Sequence, residues 1–507
     1  MLRIFGPPGT GKTTTLLNMV DEALATGVPP SRIAFLAFTR KAATEAKERA
    51  LARFSLDAKK DLFYFRTLHS LALSVSDINA DQIMQPSHYK SLSNEIGVPF
   101  EGSGTSNDPD NSAAEAKKND PVLSLISLAR LKKVPLRDEY NMSNLSTSWS
   151  EVSYISRNLS EFKKAFDLYD FTDMLEEFVE SGYQRCPEFE LTFLDEGQDL
   201  CPLQWDMAHL IDERSKKMYC AGDDDQAIYR WAGADVDHFI GLPGGSEVLS
   251  QSYRIPAEVH GIAETVANRI NKRFPKEYKP KKERGGFQRI SSYEVGSLPM
   301  EKGSWLILAQ AAYMLNPIKT ELKANGLLFN SFGHRSISEK ISSAILGWER
   351  LRNGKEVSGS MVKDVYSLMT SKDRIKKGFK KLSSLEDDTM VTIAVLQEKY
   401  GLLVGQDVPW FDALDRIPAQ DTAYITALLR RGTKLNAEPK ITLSTIHGAK
   451  GGEADNVVLL TDLSPAAFGQ FQKDPDDTHR LFYVGVTRTR EILYIVSPQS
   501  FSRSYVI

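Results

Sequence analysis

Gly6-Pro7-Pro8-Gly9-Thr10-Gly11-Lys12-Thr13 decides the fold class of this 507-residue chain. The octet fits GxxxxGK[ST] in full. It stands between a strand-like run, Leu2 to Phe5, and a segment, Thr14 to Ala25, whose apolar residues recur at helical spacing. A phosphate-binding loop requires that context. Its glycines let backbone N–H groups turn inward, and the helix N-terminus adds a field that favours anions. Lys12 is then expected to reach the β- and γ-phosphates and the Thr13 hydroxyl to meet Mg²⁺. A glycine-rich turn with a chance lysine would match the letters but not the strand before and the helix after.

Outward from this loop the same alternation continues. Ile33 to Phe38 is a second apolar run, followed by the helix-like Lys41 to Phe54, and β-α-β-α order indicates a parallel sheet covered by helices. Strand signals return at Phe189 to Leu194 and Lys217 to Ala221. They return again at Trp305 to Ala309 (followed by a helical Pro317 to Asn325), Ile441 to Ser444, Asn456 to Leu460 and Ile492 to Val496. Between Glu101 and Asp120 the chain is almost free of apolar residues, as expected of a mobile loop inside a mostly helical insertion. Gly333 to Arg431 is lysine-rich and helix-like without clear strands. The pattern predicts two α/β units, each interrupted by a helical insertion, and no solenoid repeat.

Composition sets the outer bounds. With 41% hydrophobic and 25% charged residues the chain has the balance of a globular protein with several cores, and ~100–200 residues per domain predicts about three or four domains. No stretch approaches ~18 consecutive apolar residues, so no membrane span is expected. Met1 to Phe5 runs straight into the glycine-rich turn, which leaves no signal peptide and a cytoplasmic location as the expectation. Cys186, Cys201 and Cys220 form no CxxC pair, which argues against a zinc site, an iron–sulfur cluster or a disulfide framework. A net charge of -3 neither indicates nor excludes nucleic acid, because phosphate is drawn by a local basic groove. Lys272 to Arg289 and Lys372 to Lys381 are basic runs of the required kind, although such runs are more often solvated surface.

Leu191-Thr192-Phe193-Leu194-Asp195-Glu196 is an apolar strand ending in two acids. Alone, the acids would read as a solvated loop. Beside a phosphate loop, Asp195 suits a Mg²⁺ contact and Glu196 suits the base that orients or deprotonates the attacking water. Hydrolysis also calls for cations on the developing γ-phosphate charge. Arg254 and Arg488 are candidates, but local chemistry gives no reason to prefer them over other arginines.

The ordered segments together resemble the superfamily 1 helicases of the UvrD/Rep/PcrA group, over essentially the whole chain. After the phosphate loop, Phe38-Thr39-Arg40-Lys41-Ala42-Ala43 is similar to F-T-N-K-A-A and Thr67-Leu68-His69-Ser70 to T-F-H-S. Asp195-Glu196-Gly197-Gln198-Asp199 matches D-E-x-Q-D. Gly222-Asp223-Asp224-Asp225-Gln226-Ala227-Ile228-Tyr229-Arg230-Trp231-Ala232-Gly233-Ala234 resembles G-D-x-x-Q-S-I-Y-x-W/F-R-G-A. Ser252-Tyr253-Arg254 resembles N-Y-R, and Thr445 to Glu453 resembles T-x-H-x-A-K-G-L-E. Arg480 to Arg488 matches R-L-F-Y-V-G-x-T-R nearly letter for letter.

The resemblance implies an α/β fold of two RecA-like parallel-sheet domains, each with a mostly helical insertion. The first domain would span 1–88 and 166–250 with its insertion at 89–165. The second would span 251–332 and 432–507 with a shortened insertion at 333–431. It implies an ATP-dependent DNA helicase that translocates on single-stranded DNA, 3′ to 5′, and opens duplex at single-strand/duplex junctions in replication or repair. ATP and Mg²⁺ would be held by Gly6, Pro7, Pro8, Gly9, Thr10, Gly11, Lys12, Thr13 and Thr14, with Thr13 and Asp195 on the metal. Lys12, Asp195, Glu196, Gln226, Arg254 and Arg488 would carry out hydrolysis. Tyr253 would stack on adenine and Glu453 would sit near the ribose. Phe38, Thr39, Thr67, His69, Tyr229, Trp231 and His447 would meet the DNA strand, since aromatic faces grip any base without reading sequence. The resemblance implies no membrane and no particular protein partner, with a monomer as the default state.

The sequence also departs from the family pattern. No glutamine-bearing segment precedes Gly6, which leaves nucleotide preference open. Ala232 replaces an arginine, Gly452 replaces a leucine, and 333–431 lacks the G-I-G signature tied to duplex contact. A translocase that displaces proteins but unwinds weakly is therefore a close alternative. From a different class comes a DNA-binding module switched by nucleotide without turnover, against which Glu196, Arg254 and Arg488 stand.

Overall fold

The computed structural model describes residues 1–38, 40–99, 120–371 and 373–507. Thr39, Lys372 and, apart from Asp120, the polar stretch expected as a mobile loop lie outside the described residues. Two compact units divide the chain: Met1–Gly285 with Gly469–Thr487, and Gly286–Phe468 with Arg488–Ile507. No described helix is long and apolar enough to cross a membrane.

The first unit is built on six parallel strands: β1 (Leu2–Phe5), β2 (Ile33–Ala37), β3 (Phe65–Thr67), β4 (Phe189–Leu194), β5 (Ser215–Gly222) and β6 (Ser246–Val248), in the order β3-β2-β4-β5-β1-β6. Every residue of β2 is buried, as the continuous apolar run Ile-Ala-Phe-Leu-Ala requires of a strand covered on both faces. Alternate residues serve opposite faces. Phe5, Ala34 and Leu36 pack with Leu194, Trp205 and Phe239, whereas Ile4, Ile33 and Phe35 pack with Leu16, Leu17 and Phe193. The helix Lys12–Ala25 starts directly at the phosphate loop and buries Leu16, Leu17, Val20 and Ala23, one stripe of a 3.6-residue period.

Between β3 and β4 the insertion folds around its own core. Tyr89, Leu92, Leu123, Ile126, Ile155 and Leu159 come together from helices Pro86–Ile96, Pro121–Leu131 and Trp149–Phe166. Ser148 and Asp120 cap two of these helices by accepting hydrogen bonds from Glu151 N (3.3 Å) and Leu123 N (3.1 Å).

The second unit has a seven-stranded sheet: β7 (Gly286–Ile290), β8 (Trp305–Ala309), β9 (Phe329–Ser331), β10 (His334–Arg335), β13 (Ile441–Thr445), β14 (Ala454–Leu460) and β15 (Thr489–Val496). A separate two-stranded ladder joins β11 (Val357–Ser358) to β12 (Met390–Val391). The sheet order is β10-β9-β13-β8-β14-β15-β7, parallel except where β10 returns antiparallel to β9. The chain is thus an α/β protein with two parallel-sheet domains and many helices. The stretch 333–431 is mostly helical but holds β10, β11 and β12, contrary to the expectation of no strands. Two residues cannot display a period of two. Among the described residues this stretch shares the core of the sheet, since Trp348, Val362, Leu396 and Ile425 belong to the same cluster as Ile307 and Leu443.

Cys186, Cys201 and Cys220 are free and buried in the first unit. Burial raises their thiols, Cys186 to about 11 and Cys201 to about 12, with Cys220 shifted in the same direction.

A cluster of charges ties the first insertion to the helix Phe171–Ser181. Arg130 donates to Asp170 (2.9 Å), to Glu176 (3.0 Å) and to Asp173, while Lys163 donates to Asp170 and Asp173 at 2.7 Å each. Asp170 is 6% exposed, so removing one of two cations would strand buried carboxylates. Arg130→Ala is therefore expected to destabilise the first unit by about 3 kcal/mol in urea unfolding. Arg284→Ala, which breaks an exposed pair with Glu258, should leave the midpoint unchanged.

Candidate nucleotide and nucleic-acid site

Parallel strands deliver their carboxyl ends to one edge, and the candidate residues of the first unit sit on the loops at that edge. β1 leads into Gly6–Thr13 and β2 into Phe38. β3 ends at Thr67, and β4 leads into Asp195 and Glu196. β5 opens into Asp223–Gln226, and β6 is followed by Ser252–Arg254.

On the phosphate loop, Gly11 caps the helix with φ 80°, and Lys12 Nζ donates to Gly6 O at 3.0 Å and lies 3.8 Å from Glu196 Oε1. Thr13 Oγ1 donates to Asp195 Oδ2 at 3.1 Å. A hydroxyl and a carboxylate converging in this way are hard oxygen donors that fit Mg²⁺. Burial, reinforced by the neighbouring Glu196 charge, raises the Asp195 carboxyl to about 6. A bound dication would oppose that shift.

Glu196 adopts φ 59°, ψ 41°, the left-handed region that side chains other than glycine avoid at a cost of roughly 1–2 kcal/mol. The turn is closed by Asp199 N donating to Glu196 O (3.0 Å), and Gln198 Nε2 donates to Glu196 Oε2 at 2.6 Å. The carboxylate that would serve as base is thus aimed by both backbone and amide.

Ser252–Arg254 lies directly on the phosphate loop. Ser252 Oγ donates to Pro8 O (2.8 Å) and Tyr253 N donates to Gly9 O (2.8 Å). Gly9, at φ +73°, makes this approach possible, since a Cβ there would stand 2.3 Å from Arg254 Cβ. Tyr253 is 75% exposed and presents an open aromatic face.

The Asp223–Gln226 turn is buried. Gln226 Nε2 donates to Asp223 Oδ2 at 2.7 Å, and Asp223 N donates to Gln198 Oε1 at 2.9 Å. One side-chain amide, that of Gln198, therefore connects the Glu196 carboxylate to this turn. A Cβ at Gly222 would sit 2.5 Å from Gln198 Oε1, so glycine is needed for the connection.

At the same edge a cavity of about 430 Å³ is lined by Phe38, Arg40, Lys47, Arg66, Thr67 and His69, among others. Three cations beside aromatic side chains suit a phosphate backbone with bases. Tyr229 lies next to Phe38 (ring centroids 5.8 Å) and Trp231 next to Tyr229 (6.2 Å), but Tyr229 is only 9% exposed. Burial and the Arg40 charge lower the His69 imidazole to about 4, which keeps it neutral at pH 7.

The second unit carries the remaining candidates. Arg488 is 2% exposed and donates to Gly452 O at 3.2 Å, so the glycine at this unusual position supplies a carbonyl to the arginine. Glu453 pairs with Arg490 at 3.4 Å, and His447 begins a short 3₁₀ turn after β13.

Sequence reasoning gave no role to Gln198, Ser252, Arg66 or Lys47. Gln198 lies two residues beyond Glu196 and fills the glutamine position of D-E-x-Q-D, the signals that could have singled it out. The basic run Lys272 to Arg289 is not a continuous phosphate surface. Lys276 is buried among three aspartates, Arg273 pairs with Asp225, and exposed Lys272 pairs with Asp237.

Comparison with known proteins follows the same lines. Residues 1–243 match the UvrD/REP helicase N-terminal domain and residues 423–500 match the UvrD-like helicase C-terminal domain. An ATP-dependent DNA helicase PcrA of Leuconostoc citreum is 26% identical over 303 residues, covering 54% of this chain and 38% of that protein. A PcrA of Staphylococcus aureus is 25% identical over 306 residues, covering 54% and 39%. A putative ATP-dependent DNA helicase YjcD of Bacillus subtilis is 24% identical over 303 residues, covering 54% and 37%. The matched stretch thus spans about two fifths of the length of these curated relatives.

The His69 shift has a consequence for stability. With a folded pKa near 4 against an ordinary 6.5, the unfolded chain binds more protons between those values. Stability from this group is therefore complete above 6.5 and is lost as pH falls towards 4. His238 and His479 shift the same way, also by burial. The urea midpoint is expected to fall between pH 7 and pH 5, and to fall less in His69→Asn.

Proposed function

We propose, from the match of residues 1–243 and 423–500 to UvrD/REP-type helicase domains, that the chain is an ATP-dependent DNA helicase, moving 3′ to 5′ along single-stranded DNA and separating duplex at junctions. One observation carries the reading. Phosphate loop, paired acids and a basic, aromatic-lined cavity share one edge of a single sheet, and a hydrogen-bonded path from Glu196 through Gln198 to Asp223 and Gln226 runs along that edge.

In this reading the loop amides and Lys12 bind the β- and γ-phosphates, and Tyr253 offers its face to the base. Thr13 and Asp195 would hold Mg²⁺, which would neutralise charge on the phosphates when bound. Glu196 takes the proton of the attacking water while Gln198 fixes the carboxylate's direction. Gln226 senses the γ-phosphate, and Arg254, seated beside Gly9, faces the charge that develops there. Phe38, Thr67, His69, Tyr229 and Trp231 belong to the DNA side. For Arg488, Glu453 and His447 the proposed roles rest on their motifs. The division into two domains with insertions at 89–165 and 333–431 is proposed on the same basis.

The test is ATP turnover with and without single-stranded DNA, in the chain and in Glu196→Gln. Strong stimulation by DNA is expected, with turnover in the variant lower by about a hundredfold or more. A rate indifferent to DNA would sink the motor in favour of a nucleotide-switched binding module. A tailed-duplex assay then reads polarity and unwinding.

A further inference from the structure

Asp223, Asp224 and Asp225 follow one another at the end of β5, and each is 0% exposed. A single ammonium faces all three. Lys276 Nζ lies 3.2 Å from Asp223, 2.6 Å from Asp224 and 2.7 Å from Asp225, with its side chain 1% exposed. Arg273 adds a fork on Asp225 at 2.9 and 2.7 Å, and the fully buried Arg480 donates Nε to Asp224 O at 3.0 Å. The hydrolysis scheme above makes no use of Lys276. A buried charge of this kind is expensive unless every partner is satisfied, and the geometry here satisfies it three times.

The two ends of the cluster lead to different parts of the nucleotide site. On one side Asp223 accepts from Gln226 and, through its backbone, holds Gln198 against Glu196. On the other, the loop carrying Lys276 continues to Lys279, whose N donates to Ser250 O (2.7 Å) and whose O accepts from Ser252 N (2.8 Å). Ser252 and Tyr253 are in turn bonded to Pro8 and Gly9.

Resting on the functional reading above, we propose that Lys276 is a positioning residue for ATP turnover. Its ammonium locks the Asp223–Gln226 turn to the segment bearing Arg254, so that sensor and arginine keep one register on the phosphate loop. A tetrahedral ammonium donates in three directions from one atom, whereas a guanidinium spreads its donors over a wider planar fork that would displace carboxylates closed around a single nitrogen. Lys276→Arg should therefore keep the charge but only part of the function.

The experiment uses the full chain and three variants: Lys276→Met, Lys276→Arg, and Lys276→Met combined with Asp224→Asn and Asp225→Asn. The triple variant removes two buried negative charges together with the cation, which guards against simple unfolding. Its readouts are DNA-stimulated ATP turnover and amide hydrogen exchange. In the triple variant, kcat is expected to fall about tenfold or more with KM for ATP within about twofold, the signature of lost positioning rather than lost binding. Exchange should quicken together at Asp223–Ala227 and Ser250–Arg254, while β1 and β4 stay protected. Lys276→Arg should lie between the triple variant and the parent. Parental kcat in the folded triple variant, or unchanged exchange at Ser250–Arg254, would overturn the proposal. If the parent chain itself shows no DNA-stimulated turnover, that failure belongs to the functional reading. The exchange comparison then decides alone whether Lys276 couples the two segments.

Discussion

In a parallel sheet every strand enters at one edge and leaves at the other, and the chemistry of the first unit follows from that constraint. Six strands bring six loops to a single rim, so residues more than 200 positions apart become neighbours without any long-range search for side-chain partners. The rim is crowded as a result. Pro8 and Gly9 accept hydrogen bonds from Ser252 and Tyr253, and Gln198 reaches across to Asp223. At this density even a Cβ cannot be accommodated, against Arg254 and Ser252 at Gly9 and against Gln198 and Phe239 at Gly222, which is why glycine stands at both.

Crowding also concentrates charge. Asp195, Asp223, Asp224 and Asp225 are all buried within one rim, where an uncompensated carboxylate is costly. Two different remedies are visible. The three consecutive aspartates are met by Lys276 and Arg273, cations supplied by the protein itself. Asp195 is met by the nearby Lys12 charge, the Thr13 hydroxyl and the Glu196 N–H, and burial beside the Glu196 charge still leaves its carboxyl raised. Compensation is uneven within the triad: burial raises Asp224 to about 6, whereas against the same burial the Lys276 and Arg273 charges hold Asp225 below the ordinary carboxylate range.

Legibility in the sequence tracked how local each feature is. The phosphate loop could be read because strand, turn and helix are contiguous and each has its own signature. The position of Asp195 and Glu196 at the end of β4 could be read from the apolar strand before them, but only the phosphate loop singled them out from an ordinary solvated loop. Lys276 could not, since a lysine within a basic run has the same local appearance whether it is solvated or sealed among aspartates 50 residues earlier. The short strands β3, β6 and β9 were missed for a related reason: three residues do not establish a period. The two insertions looked alike as helical stretches, yet one has its own core and the other shares the core of its sheet. That difference depends on which apolar faces meet, and periodicity within a segment carries no information about its partner.

The three cysteines make the first unit a reporter of its own integrity. All of them lie in that unit, none is more than 3% exposed, and each thiol is held in its unreactive protonated form by burial. The second unit contains no cysteine. A small thiol-reactive dye added to the native protein will therefore record the opening of one sheet and remain blind to the other. Cys186, close to Leu210 O, and Cys220, within β5, divide that record between the rear and the centre of the sheet. Labelling kinetics can thus separate fraying of the first unit from its complete unfolding without any engineered probe.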